Sequence, residues 1–221
     1  LADTLMTEPG RKVTFHIDGD RWSAGPALRA SAEELWDHGF LFDYVSDRQL
    51  QSCNIVEGAA ETVGGNTYRA VVVPTCRFMP ETTAQALADL AEQGVPVLYS
   101  GESAQEWDVP GFADLDKRRT ALNEAVARLV VSSGFRQSIP IARALCGSGV
   151  QPETMQVGTG LRCVRRCLAG GTPAYFIVNR TDDTFDGWLL PEKTAPGIVL
   201  MDPWDGRAGY PLLETARGVR V

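Results

Sequence analysis

Chemistry in this chain could come from a short list of side chains near the ends of apolar segments. Paired carboxylates can do general acid and base work on a bond held between them. In an open parallel sheet, ligand-binding groups collect beyond the carboxyl ends of the strands. The positions that follow apolar segments hold Asp18 and Asp20, Ser46 and Asp47, Thr75, Cys76 and Arg77, and Glu102. Asp and Ser also end strands and cap helices for purely local reasons, which is the bland reading of the same residues. Cys76 is the nucleophile candidate. A working nucleophile at a strand end sits in a tight elbow flanked by Gly and needs a base in reach, usually His. Its neighbours are Pro74, Thr75, Arg77 and Phe78, with no Gly, and the chain has only His16 and His38. His38 falls at an expected helix end, where the dipole favours a cation. His16 falls in mid-strand.

Five tryptophans offer flat apolar faces of the kind that pyranose rings stack on: Trp22, Trp36, Trp107, Trp188 and Trp204. Trp36 is expected in a helix and in the core. Trp188 and Trp204 are the sugar-stacking candidates, with core packing as the competing reading. Five cysteines do not suggest a disulfide framework. Cys163 and Cys167 are four apart, but in an extended context and without a supporting His, so no metal site is expected. Gly64-Gly65 and Gly170-Gly171 lack the Lys-Ser/Thr of a phosphate loop, and no cofactor is expected.

The chain of 221 residues is 44% apolar and 22% charged, with a net charge of −7. That composition is ordinary for a globular protein. An acidic surface repels phosphate backbones, so nucleic acid is not an expected partner. Lys117-Arg118-Arg119 and Arg165-Arg166 read as solvated faces of a helix and a strand. No apolar run approaches the ~20 residues that span a bilayer, so no membrane partner is expected. No signal peptide is visible. The chain begins at Leu1, and the expectation is that the natural N-terminus lies further upstream, which leaves the compartment open.

The elements that would position these residues follow from periodicity. Val13 to Ile17 reads as a strand ended by Asp18-Gly19-Asp20. Ser31 and Glu34 have the spacing of a capping box, predicting a short helix through Leu35, Trp36 and His38, stopped by Gly39. Phe40 to Val45 reads as a second strand. Ser46 and Gln49 form another capping box, with Leu50 in the helix it opens. Residues 54–69 are less regular, with a turn at Gly64-Gly65-Asn66. Ala70 to Pro74 is apolar throughout, as a strand buried on both faces should be. Pro80 suits a first helical turn, and Leu87, Leu90 and Ala91 recur at helical spacing up to Gly94. A strand over 95–99 and a helix over 115–131 follow, with Leu122, Val126 and Leu129 on one face.

This alternation predicts an α/β domain over residues 1–150, with a flavodoxin-like parallel sheet and helices on both faces. Ile141 to Cys146 reads as its last helix. From 151 the pattern changes. Residues 161–168 and 174–179 read as strands joined by the turn 169–172, a hairpin. Residues 186–190 and 198–201 are further strand candidates. The tail, 151–221, is expected to be part of an antiparallel β-sandwich and incomplete, since a full one takes roughly 100 residues.

Three strings carry a resemblance: Leu35 to Val45, Tyr68 to Pro74 with Met79-Pro80-Glu81-Thr82, and Arg165-Arg166 with Tyr175 to Asn179. Together they resemble the C-terminal half of large bacterial α-L-rhamnosidase-like enzymes, glycoside hydrolase family 106. The resemblance covers roughly residues 30–205. It implies a layer of class I amidotransferase-like shape followed by β-sandwich, related to the trimerisation domain of some β-galactosidases. The family's catalytic acid and base lie in a barrel that this chain does not contain, so no catalytic residue carries over. The resemblance implies a non-catalytic accessory region of a bacterial glycosidase, with a secreted or periplasmic parent as one option and the compartment left open. Its partners would be the catalytic barrel, polysaccharide or further copies of itself. Two alternatives stand beside it. One is a stand-alone hydrolase or amidotransferase-like enzyme; amidotransferase-like folds place a nucleophilic Cys where Cys76 stands, and a carboxylate pair is the other option. The second is a carbohydrate-binding module in the tail.

Overall fold

The structure is a computed structural model and describes residue 6 and residues 25–168, 170–193, 197–211, 214–215 and 218–221. The expected strand over 13–17 lies outside the described residues, as do Asp18, Asp20, His16 and Trp22. The chain divides into two units. One takes residues up to 34 and 43–150, the other 35–42 and 151–221.

Helix α1 runs Gly25–Asp37. Ser31 is therefore buried in mid-helix rather than capping a start. Ala27-Leu28-Arg29-Ala30 are good helix formers and extend the helix upstream. Arg29 and Glu33 pair across one turn at 2.7 Å. The helix stops as expected at Gly39, whose φ is +79°. The Gly39 N–H donates to Trp36 O and the Phe40 N–H to Leu35 O, a Schellman closure with Leu35 and Phe40 both buried. The expected strand over 40–45 does not form. Its start is turned back onto Leu35, and among the described residues these positions pair with no strand.

In the first unit, helix α2 (Asp47–Gln51) opens with the expected capping box: Ser46 and Gln49 satisfy each other's backbone N–H groups. Leu50 is buried behind it. Residues 54–68 form an antiparallel meander of β1 (Asn54–Val56), β2 (Ala59–Glu61) and β3 (Thr67–Tyr68). Glu57 and Gly58, with φ of 51° and 75°, make the left-handed pair of a type I′ hairpin turn. Tyr68 donates its hydroxyl to Asp43 at 2.7 Å.

The parallel sheet consists of β4 (Val71–Val73), β5 (Val97–Tyr99) and β6 (Phe135–Gln137), in that order. Val71 lies beside Val97, which lies beside Phe135. Helix α3 (Glu81–Glu92) connects β4 to β5, and α4 (Leu115–Val131) connects β5 to β6. The two helices pack on each other and on one sheet face, through Leu87, Ala91, Leu122 and Val126. All three residues of β5 are buried, so both sheet faces are covered. Helix α5 (Ile141–Gly147) packs at β5. The Glu34 carboxylate of α1 accepts the N–H of Ala142 in the first turn of α5 at 3.1 Å.

In the second unit, β7 (Leu161–Cys167) and β8 (Pro173–Asn179) pair along their whole length as the expected hairpin. The expected strand over 186–190 is reduced to β9 (Trp188–Leu189). That over 198–201 is reduced to β10 (Leu200–Met201), which pairs with β11 (Ala208–Gly209). A small sheet joins β12 (Glu214–Thr215), β13 (Gly218–Arg220) and β9. Met155, Leu161, Cys163, Leu189 and Val219 form the core of this unit. The molecule is thus mixed α/β, with a three-stranded parallel sheet and several small antiparallel ones.

Candidate functional sites

The carboxyl end of the parallel sheet is closed by its own hydrogen bonds. The Ser100 N–H donates to Val73 O at 3.0 Å, and the Thr75 and Ser100 hydroxyls lie 3.2 Å apart. Tyr99 lies against Gly101, where an added Cβ would meet the ring at 2.3 Å. Its hydroxyl donates to Cys76 O at 3.0 Å, and burial pushes its pKa up. The Trp107 ring meets Tyr99 edge-on, with centroids 4.9 Å apart. Trp107 is core. Gln137 accepts the N–H of Ala104, and Ser138, in left-handed backbone, donates its N–H to Gly101 O.

The site residues singled out from sequence are dispersed over this frame. Cys76 is half-buried against the core. Among the described residues, the non-glycine positions with positive φ are Glu57, Asp114 and Ser138, so Cys76 is not in the strained backbone of a nucleophile elbow. His38 belongs to the other unit. Asp47 accepts the Thr83 hydroxyl at 2.9 Å and so ties α2 to α3. Arg77 is exposed with its guanidinium 5.4 Å over the Phe78 ring, and its carbonyl accepts the N–H of Asp108. Glu102 is exposed. Among the described residues, no cluster of three or more metal-ligating side chains occurs.

The basic run at the start of α4 is not merely a solvated face. Arg118 forks onto both carboxylate oxygens of Glu81 at 2.9 Å and donates to Pro110 O at 2.7 Å. Arg119 forks onto Asp108 at 2.8 Å and holds that carboxyl down at about 2, against an ordinary 3.8. Arg128 reaches both Glu92 and Asp89. These arginines tie α4 to α3 and to the loop before it.

In the second unit Arg165 is likewise committed. Along β7, Leu161, Cys163 and Arg165 share the inward face. Arg165 donates to Glu153, whose side chain is only 2% exposed, and to Glu192 at 2.8 Å. Glu153 also accepts the Tyr175 hydroxyl at 3.2 Å and the N–H of Glu192 at 2.8 Å. Beside it, buried Gln156 accepts the N–H of Cys163 and donates to Gly39 O. Burial, and then the Glu153 charge, push the Cys163 thiol up to about 11. Sequence reasoning missed Glu153 and Gln156. The available signal was Arg165 itself: an arginine at the inward parity of a strand requires a buried carboxylate.

The aromatic candidates separate by exposure. Trp36 is 42% exposed and tilts against Phe42, so it is not the core residue expected. Trp188 is 38% exposed and lies opposite Arg220. Trp204 is 95% exposed, in the turn between β10 and β11. An open groove of about 530 Å³ runs along that hairpin, lined by Leu200 to Pro203 and Arg207 to Gly209.

No family model matches the chain, and no curated protein or solved structure is significantly similar to it. Among the described residues, no helix is long and apolar enough to cross a membrane. Fold and sites together define a mixed α/β protein in two units. One has a hydrogen-bonded sheet end, and the other a buried ionic cluster and an exposed aromatic hairpin.

Proposed function

We propose that the chain is a non-catalytic accessory region of a glycoside hydrolase of the α-L-rhamnosidase-like kind. Its flavodoxin-like layer braces the catalytic barrel. Its tail, the start of a β-sandwich, presents a surface to polysaccharide. The reading rests on the resemblance of Leu35 to Val45, Tyr68 to Pro74 and Tyr175 to Asn179 to that family. The observation that carries its non-catalytic half is Cys76: half-buried, in unstrained backbone, in a sheet end whose polar groups bond one another. A nucleophile needs the opposite, an exposed side chain on an elbow with a base beside it.

The test is hydrolysis of a panel of aryl glycosides, α-L-rhamnoside included, by the chain as it stands. No turnover above background is expected. Turnover lost on Cys76→Ser, Asp47→Asn or Glu102→Gln would replace this reading with the hydrolase or amidotransferase-like one. The exposure of Trp204 favours a further role for the tail as a carbohydrate-binding module.

A further inference from the structure

We infer that the β10–β11 hairpin is a saccharide subsite, with the Trp204 indole as a stacking platform and Asp202 and Arg207 as its hydroxyl-binding rim. The inference deepens the polysaccharide-presenting half of the function proposed above and rests on it. A tryptophan 95% exposed lacks the packing that explains most tryptophans, and Met201 and Tyr210 flank it at 75% and 83%. The turn that carries it is tied together by hydrogen bonds. Asp202 accepts the N–H of Trp204 at 2.8 Å through its carboxylate and that of Gly206 at 2.9 Å through its carbonyl. Its own N–H donates to Arg207 O at 2.8 Å, and the Asp205 carboxylate holds the Arg207 N–H and Nε. These bonds fix the backbone of the turn that carries the indole.

The rim has unused hydrogen-bonding capacity. Asp202 uses one carboxylate oxygen and Arg207 uses Nε, which leaves Oδ2 and both terminal nitrogens without a partner among the described residues. A sugar offers an apolar ring face bordered by hydroxyls that both donate and accept, matching an indole beside a carboxylate and a guanidinium. Asp202 and Arg207 both line the open surface of the hairpin, where a saccharide can reach them. A protein partner fits less well. Closing an interface over Asp202 and Asp205 would strip water from two carboxylates, a residue type depleted in interfaces. An open saccharide leaves them hydrated or hydroxyl-bonded.

The test is affinity gel electrophoresis of the full chain in gels containing xyloglucan, galactomannan or arabinogalactan. Retardation by at least one polymer is expected. Trp204→Ala should weaken it at least tenfold, Trp204→Phe should retain part of it, and Arg207→Ala should weaken it severalfold. Because Trp204 is exposed, melting of its variants should stay within about 2 °C of the parent, which separates lost binding from lost folding. Two results overturn the inference: no retardation by any of the three polymers, or undiminished retardation of Trp204→Ala. A Trp204→Ala change in size-exclusion elution without a change in polymer binding makes the hairpin a protein contact and also overturns it. Failure here leaves the non-catalytic reading standing. Turnover in the aryl glycoside panel would overturn that reading and leave this one untouched.

Discussion

Replacing Glu153 by Ala should cost the second unit about 3 kcal/mol, more than its size alone suggests. The Glu153 carboxylate, 2% exposed, accepts from the Arg165 guanidinium, the Tyr175 hydroxyl and the Glu192 N–H. Removing it leaves the last two donors without their acceptor, at about 1 kcal/mol each. Arg165 loses one of its two carboxylates. Deleting one partner of a buried pair costs roughly 3–5 kcal/mol when the remaining charge has no other partner. Arg165 keeps Glu192 at 2.8 Å and is about one-third exposed, so its share falls to roughly 1 kcal/mol. The sum predicts a drop in melting temperature of roughly 12–24 °C for a unit of this size. Urea titration followed by circular dichroism would measure it. A double-mutant cycle of Glu153→Ala and Arg165→Met should show a coupling of at least about 1 kcal/mol, since the apolar Met no longer needs the carboxylate. A Glu153→Ala loss below 1 kcal/mol, or strictly additive losses, would refute the claim that this cluster holds the unit together.

Two further outcomes follow from the first unit and the thiols. The Arg119 guanidinium depresses the Asp108 carboxyl to about 2, so the pair's stabilisation is present above about pH 4 and is lost as pH falls toward 2. Arg119→Ala should remove that part of the acid dependence, and an unchanged acid limb would count against the pair. With iodoacetamide at neutral pH, exposed Cys146 and Cys167 should label first and buried Cys163, its thiol held up at about 11, last. Labelling of Cys76 faster than Cys146 would restore the nucleophile reading.

The elements legible in the sequence were those with a local cause. The Ser46–Gln49 capping box, the apolar Val71–Val73 strand and the periodic Leu115–Val131 helix all formed where their patterns put them. So did the 161–167 and 173–179 hairpin. The misses have causes that no short window holds. Ser31 and Glu34 have capping-box spacing, yet four helix formers upstream carry the helix past Ser31, and Glu34 instead reaches Ala142, 108 positions away. Phe40 to Val45 is strand-like in composition but has no strand beside it among the described residues. Phe135-Arg136-Gln137 is short and charged at its centre, and is a strand because β5 lies beside it. Glu57-Gly58 turns β1 into β2 without the Asn-Gly signal such a turn usually carries.

The candidate site was less legible than the fold for a related reason. The residue types that do chemistry also hold structure together, and only partners distinguish the two roles. Asp47 meets Thr83, 36 positions away, and Arg118 meets Glu81, 37 away. Each is a functional candidate or a surface charge until its partner is known. Burial works the same way for tryptophan: Trp107 and Trp204 are identical as sequence, yet one is core and the other 95% exposed. The first unit is held chiefly by apolar burial around its sheet, which periodicity reports. The second combines a small apolar core with the Glu153–Arg165–Glu192 cluster, which periodicity cannot report. Truncating Leu87 or Leu122 and truncating Glu153 should therefore disable different units, and only the leucine effects could have been foreseen from spacing alone.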